Sequence, residues 1–214
     1  MKKILFLFGA MLTISTSVSA QTPVGEGNII IDPYIGVPNW ANSILYSNLE
    51  TENSTWTNYK VNGGVLSYGG RVEYMMADNF GIGIDLNYEL SGYNYDMVDS
   101  TYVPSTDGYT TETNNYDYKA KKLRAMARLN YHFVQNDRVD AYAGFAGGYK
   151  YVNRKATVNN QDDANSTELS GALIPVSIRL AIGARFYFTD NIGAHVELGA
   201  GGGGLLQFGL SIKL

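Results

Sequence analysis

Between residues 80 and 91 the chain alternates without a break. Phe80, Ile82, Ile84, Leu86, Tyr88 and Leu90 fall on one parity, and Gly81, Gly83, Asp85, Asn87, Glu89 and Ser91 on the other. A period of two sends successive side chains to opposite faces of a strand, so one face is wholly apolar and the other small, polar or charged. The pattern recurs over 122–133, where Leu123, Ala125, Ala127, Leu129, Tyr131 and Phe133 oppose Lys122, Arg124, Met126, Arg128, Asn130 and His132. It recurs again over 174–188. Runs of this length exceed the ~5–6 residues usual in soluble strands and reach the ~9–11 that a tilted strand needs to cross a bilayer.

Weaker copies at 28–37, 65–76, 138–152, 192–200 and 204–214 bring the expected strands to eight. An even number suits a closed barrel with both ends on one side. The connections agree. Asp78 and Asn79, Asn136 and Asp137, and Asp190 and Asn191 mark three tight turns, because Asn and Asp tolerate the left-handed backbone that hairpin turns require. These occupy every second connection. The alternate ones are long polar loops expected at 38–64, 96–115 and 153–170, with a short glycine hairpin at 201–204. The expected fold is therefore all-β: an eight-stranded antiparallel up-and-down transmembrane β-barrel with short turns at one end and long loops at the other.

The first twenty residues are of another kind. Lys2 and Lys3 precede an apolar stretch over 4–14, and Ser17, Val18, Ser19 and Ala20 form a small-residue cleavage site. This reads as a signal peptide, residues 1–20, cleaved after Ala20, since the apolar run is too short to span a bilayer as a helix. Residues 21–214 are then the barrel domain. Cleavage leaves 14 Lys and Arg against 20 Asp and Glu, a surplus of negative charge that argues against nucleic acid as a partner. With no cysteine, disulfides, thiolate metal sites, a cysteine nucleophile and a lipid-anchoring cysteine are all excluded. After residue 20 no apolar segment is long enough for a membrane helix, so the chain is either soluble outside the cytoplasm or crosses a membrane as strands.

Aromatic residues favour the second. Tyr74, Phe80, Tyr131, Phe133, Phe186 and Phe188 lie beside the short turns, and Tyr68, Tyr88, Tyr116, Tyr118, Tyr149 and Tyr151 about a strand length away. Two such belts bracket an apolar band, as amphipathic rings do at lipid interfaces.

The three Asp/Asn turns between aromatic-ended strands, and the alternating last strand Leu206, Phe208, Leu210, Ile212 and Leu214, resemble the outer-membrane β-barrel, or porin-like, family. That group is similar to the transmembrane domain of outer-membrane protein A and to opacity proteins. The resemblance extends over the whole mature chain and implies residence in the cell outer membrane among lipid and lipopolysaccharide, with short turns periplasmic and long loops extracellular. A monomer without cofactor is expected.

The parity opposite the apolar one should line the interior. It collects Asp32, Arg71, Glu73, Asp85, Glu89, Lys122, Arg124, Arg128, His132, Asp140, Lys150, Arg179, Arg185, His195, Glu197 and Lys213, with both signs interleaved. Eight strands enclose a space that side chains can fill, so these groups should pair and close it. Arg71, Glu73, Arg128 and Glu197, near mid-strand, are the candidates for a central salt-bridge network. The leading functional reading is thus a structural or surface-interaction barrel with a closed or narrow lumen. A small porin passing ions or small solutes is the first alternative. The second is a soluble exported lipocalin-like barrel with the apolar parity turned inward around a ligand.

An enzyme is not expected. His195 and Glu197 stand two apart, as any lumen face produces, and no serine shares their strand in a way that builds a nucleophile. Asp162, Asp163, Glu50, Glu52, Asp99, Asp107 and Glu112 lack the spacing of a calcium loop, so no metal site is expected. The loops are rich in Asn, Thr, Ser and Tyr, a composition suited to contact with host, phage or matrix and equally to simple solvation. Trp40 and Trp56 make the first of them the candidate recognition loop.

Overall fold

The computed structural model describes residues 23–39, 56–62, 66–105, 107–159, 161–162 and 174–214. They form ten strands: β1 (Ile29–Asn39), β2 (Trp56–Asn62), β3 (Ser67–Ala77), β4 (Phe80–Val103), β5 (Gly108–Asn136), β6 (Val139–Val158), β7 (Gln161–Asp162), β8 (Val176–Tyr187), β9 (Ile192–Gly201) and β10 (Gly204–Lys213). Eight of these close on themselves in the order β1, β3, β4, β5, β6, β8, β9, β10, each antiparallel to the next. The seam is β1 against β10, with Ile30 opposite Lys213 and Val37 opposite Leu206. Closure leaves the barrel no open edge, which is what allows strands to stand in lipid. The segment before Ala20, with its expected signal peptide, lies outside the described residues.

Alternation has the sense that a membrane requires. Ile84 and Leu180 are 59% and 61% exposed on the outer surface, whereas Arg71 and Arg185 are 2% and 0% exposed within. A soluble barrel storing an apolar ligand has these faces reversed, so the lipocalin-like reading is corrected here. The three short connections fall between β3 and β4, β5 and β6, and β8 and β9, as tight turns.

The longer connections depart from expectation. Residues 96–115 are not a loop: β4 and β5 stay paired from Phe80 opposite Tyr131 to Val103 opposite Gly108. Since β3 leaves β4 at Glu89, the hairpin continues beyond the barrel for on the order of 40 Å along the strands. At its tip, Tyr102 donates to Asp107 at 2.5 Å and meets Tyr109 edge-on. Residues 153–158, also expected in a loop, prolong β6 beside β5 up to Val158 opposite Tyr116. Within the expected loop 38–64, residues 56–62 form β2, which pairs the freed edge of β4 with a bulge between Thr57 and Lys60. Asn58, at φ 54°, adopts the left-handed backbone that accommodates the extra residue. An unpaired edge above the barrel presents backbone donors and acceptors, and β2 satisfies them.

The extension also corrects the outer aromatic belt. Tyr116 and Tyr118 share the parity of Arg124 and Arg128, so they face inward above the barrel. There Tyr118 stacks on Tyr93, and Tyr116 on Tyr95, at 5.1 and 5.2 Å between centroids. Tyr68, Tyr88, Tyr149 and Tyr151 do face outward.

At the opposite end the chain before β1 packs against the barrel. Before β1, Gly27 donates its backbone N–H to Met75, and Lys213 donates to the Pro23 carbonyl at 2.6 Å. This carries Val24 into an apolar cluster with Ile30, Met75 and Tyr187 inside the turn end.

Candidate functional site

The lumen holds two layers of charge, joined by one tyrosine. In the first layer Glu197 of β9 is the hub. Arg71 of β3 donates to its Oε2, Arg128 of β5 donates to the same oxygen at 2.5 Å, Arg179 of β8 donates to Oε1 at 3.0 Å, and the Tyr142 hydroxyl donates at 3.1 Å. Asp85 stands beside them, 3.4 Å from Arg128, and accepts from the Tyr34 hydroxyl at 2.6 Å. Arg71 lies over the Tyr34 ring and donates to Gln207 at 3.0 Å. Three guanidinium groups converging on one carboxylate is a geometry that only strands from opposite walls can supply.

In the second layer Arg185 of β8 is the hub. It donates to Asp32 at 2.9 Å, Asp140 at 2.8 Å and Glu73 at 2.5 Å. His132 stands between two of the same carboxylates, its Nδ1 2.6 Å from Asp140 and its Nε2 2.9 Å from Glu73. Both ring nitrogens therefore act as donors. The Tyr142 ring lies beneath Arg185 at 4.4 Å while its hydroxyl reaches Glu197, and so it spans the two layers.

Of the four candidates, the structure brings Arg71, Arg128 and Glu197 together and places Glu73 with Arg185 and His132. Arg71 and Glu73 are neighbours on one face of β3 yet address different layers. Asp85, Arg179, Tyr34, Tyr142 and Gln207 complete the first layer and were not singled out. Asp85 and Arg179 could have been, since both lie on the charged parity. The tyrosines could have been as well, since Tyr34 shares the parity of Asp32 and Tyr142 that of Asp140, but only charged residues on that parity were collected.

Room for these side chains comes from small residues facing them. A Cβ on Gly183 would meet the Tyr142 ring at 2.6 Å, and one on Gly144 would meet Asn130 Oδ1 at 2.6 Å and Arg128 Cζ at 3.0 Å. Both are too close for a real contact, so each large polar group fills space that an inward glycine vacates.

Sequence reading also missed Ser211 of β10. Its hydroxyl donates to Asp32 at 2.6 Å and lies 3.3 Å from His195 Nδ1. The grouping resembles a nucleophilic triad in composition only. Its carboxylate is bonded to the serine, His195 Nε2 faces Arg71 at 3.4 Å, and Ser211 is fully buried. A triad needs the carboxylate on the far nitrogen of the histidine and a reachable hydroxyl.

Trp40, half of the candidate recognition loop, lies outside the described residues. Trp56 opens β2, opposite Met97 of β4. Asp99, expected in a loop, is on β4 and accepts from Asn114 at 2.7 Å. Asp163, Glu50 and Glu52 lie outside the described residues.

Two solved barrels are similar in outline. The N-terminal β-barrel domain of OprF from Pseudomonas aeruginosa covers 89% of this chain and 100% of its own at 12% identity, with a TM-score of 0.33. The outer membrane protein OprG from Pseudomonas aeruginosa covers 92% and 99% at 12% identity, with a TM-score of 0.46. No curated protein matches at a significant level. The family model for the outer membrane protein beta-barrel domain matches residues 6–201, and the chain belongs to that family.

Proposed function

We propose that this protein is a closed, monomeric barrel with a structural role in the outer membrane, whose working surface is the rim raised by β2, β4, β5 and β6. One observation carries the reading: Arg71, Arg128, Arg179 and Glu197 meet in mid-lumen with each side chain at most 2% exposed. Such a plug argues against a water-filled path, and the apolar cluster around Val24 at the turn end supports the same reading. Short turns in the periplasm and the raised hairpins outside follow the asymmetry of such barrels. The rim then stands above the lipid and lipopolysaccharide that surround the barrel, where it can meet host, phage or matrix.

Residues 1–20 serve as the export signal in this reading, so N-terminal sequencing of the membrane-inserted protein should begin at Gln21. Trp56, at the start of β2, and Trp40 remain candidates for surface contact. If substituting both by alanine left binding to cells or matrix unchanged, that role would fall.

Single-channel recording in a planar bilayer tests the plug. Insertion without steady conductance is expected. Well-defined openings that change on Arg128→Ala would instead make the protein a small porin with a charge-selective lumen.

A further inference from the structure

Charge is shared unevenly along the lumen. At the turn end, Arg185 and His132 serve three carboxylates, Asp32, Glu73 and Asp140. At the hairpin end the balance reverses. Lys122 and Arg124 of β5 and Lys150 of β6 share the inward face, with Arg124 and Lys150 directly opposite one another. Like charges so placed on a sheet repel. Glu89 pairs with Arg124 at 2.9 Å. Among the described residues, neither Lys122 nor Lys150 has an ion pair of its own.

A second observation points to the same place. Three buried donors there lack a hydrogen-bond partner: Arg124 Nε, Arg179 Nη2 and Gln207 Nε2. Their residues are 8%, 1% and 0% exposed. The glycine hairpin between β9 and β10 folds over them. A Cβ on Gly202 would lie 3.2 Å from Arg124 Nε, and one on Gly203 would lie 2.8 Å from Gln207 Nε2 and 3.4 Å from Asn87 Nδ2. The acceptors here are already taken: Asn87 Oδ1 and Glu89, which stands opposite Lys122, accept from Arg124, and the Gly202 and Gly204 carbonyls accept from Arg179, so the two lysines and the three donors are left in excess. Buried polar groups are rarely left so, and when they are an ion is among the explanations. Cations and donors in excess are the chemistry that recognises a tetrahedral oxyanion.

We propose that the hairpin end of the lumen binds a phosphate group, held by Lys122, Arg124 and Lys150 with Gln207 as a further donor. Such a group has two sources, free phosphate or the ester of a larger molecule. Above the site the inward wall continues as the stacked pairs of Tyr93 with Tyr118 and Tyr95 with Tyr116, a surface against which a sugar carrying the phosphate can lie.

The test is titration calorimetry of the refolded protein in micelles with inorganic phosphate and with glucose 1-phosphate, against chloride at matched ionic strength. Saturable binding of phosphate and its loss by tenfold or more in Lys122→Gln/Lys150→Gln are expected. Tighter binding of the sugar phosphate would assign the ester as source, and equal binding the free ion. Folding of the double variant is checked by its altered mobility on unheated gels. Without phosphate it should melt no lower than the parent, because the repulsion with Arg124 is relieved. Should the pair not fold, Lys150→Gln alone carries the same comparison. Binding no different from chloride, or equal affinity in parent and variant, would overturn the proposal.

Discussion

Arg71 and Glu197 lie 126 positions apart and meet as an ion pair in the middle of the lumen, where both are buried. Arg128 and Arg179 approach the same carboxylate from two further strands. Removing the hub takes the nearest carboxylate from three guanidinium groups at once and leaves only Asp85 beside Arg71 and Arg128. Breaking a buried pair from one side costs about 3–5 kcal/mol, since the remaining charge has no compensation. Glu197→Gln should therefore lower stability by about that order in denaturant titrations of the micellar protein, and more than Arg179→Gln, which leaves Arg71, Arg128 and Tyr142 on the carboxylate.

Double-mutant cycles should separate the two layers. Glu197→Ala with Arg128→Ala, and Glu73→Ala with Arg185→Ala, touch direct partners and should couple by about 0.5–3 kcal/mol. Glu73→Ala with Arg128→Ala crosses layers, its members meeting only through their shared neighbour Asn130, and should couple more weakly than either direct pair. Strong coupling in the last cycle would show that Glu73 and Arg128 act as one unit.

Gly183 faces Tyr142, the residue that joins the layers. Gly183→Val pushes into that ring, and overpacking of this kind costs about 1–3 kcal/mol. A thermal midpoint equal to the parent's would mean that Tyr142 has somewhere else to go.

The raised hairpin should be dispensable for the barrel. Replacing 96–115 by a two-residue Asn-Gly turn removes pairs that lie beyond the end of β3, so insertion and heat-modified gel mobility should be retained. Failure to insert would show that barrel closure depends on the rim.

On the rim, Asp96 accepts from Asn58 at 2.8 Å and from Asn115 at 2.7 Å. These bonds to its charged form hold the carboxyl below the ordinary aspartate range. A depressed value contributes to the docking of β2 above the unfolded pKa and is lost as pH falls through the folded one. Carbon-detected NMR of the carboxyl should give a midpoint below that of a free aspartate, and Asn58→Ala/Asn115→Ala should return it.

The barrel was legible because lipid and lumen impose opposite demands on alternate residues. Over 80–91 and 122–133 each demand leaves a clean parity. Beyond Leu90 both faces of β4 meet water, the contrast fades, and the strand can no longer be told from a polar loop. Tyr116 and Tyr118 were misplaced for the same reason: their parity could be followed down from Arg124, but nothing amphipathic marked the strand as continuing that far. Within the lumen, parity identifies who faces inward and says nothing of height. Tilted strands set the height, so Glu73 meets Arg185 on a distant strand and misses Arg128.

The seam between β1 and β10 has a consequence in time. Ile30 finds its outer partner only in Lys213, and Val37 only in Leu206, so the first strand to leave the ribosome waits for the last. Until that zip is fastened, two raw edges would face hydrocarbon with their amides unsatisfied. Insertion is then a finishing act, taken by a chain already whole, and not a thread fed through strand by strand.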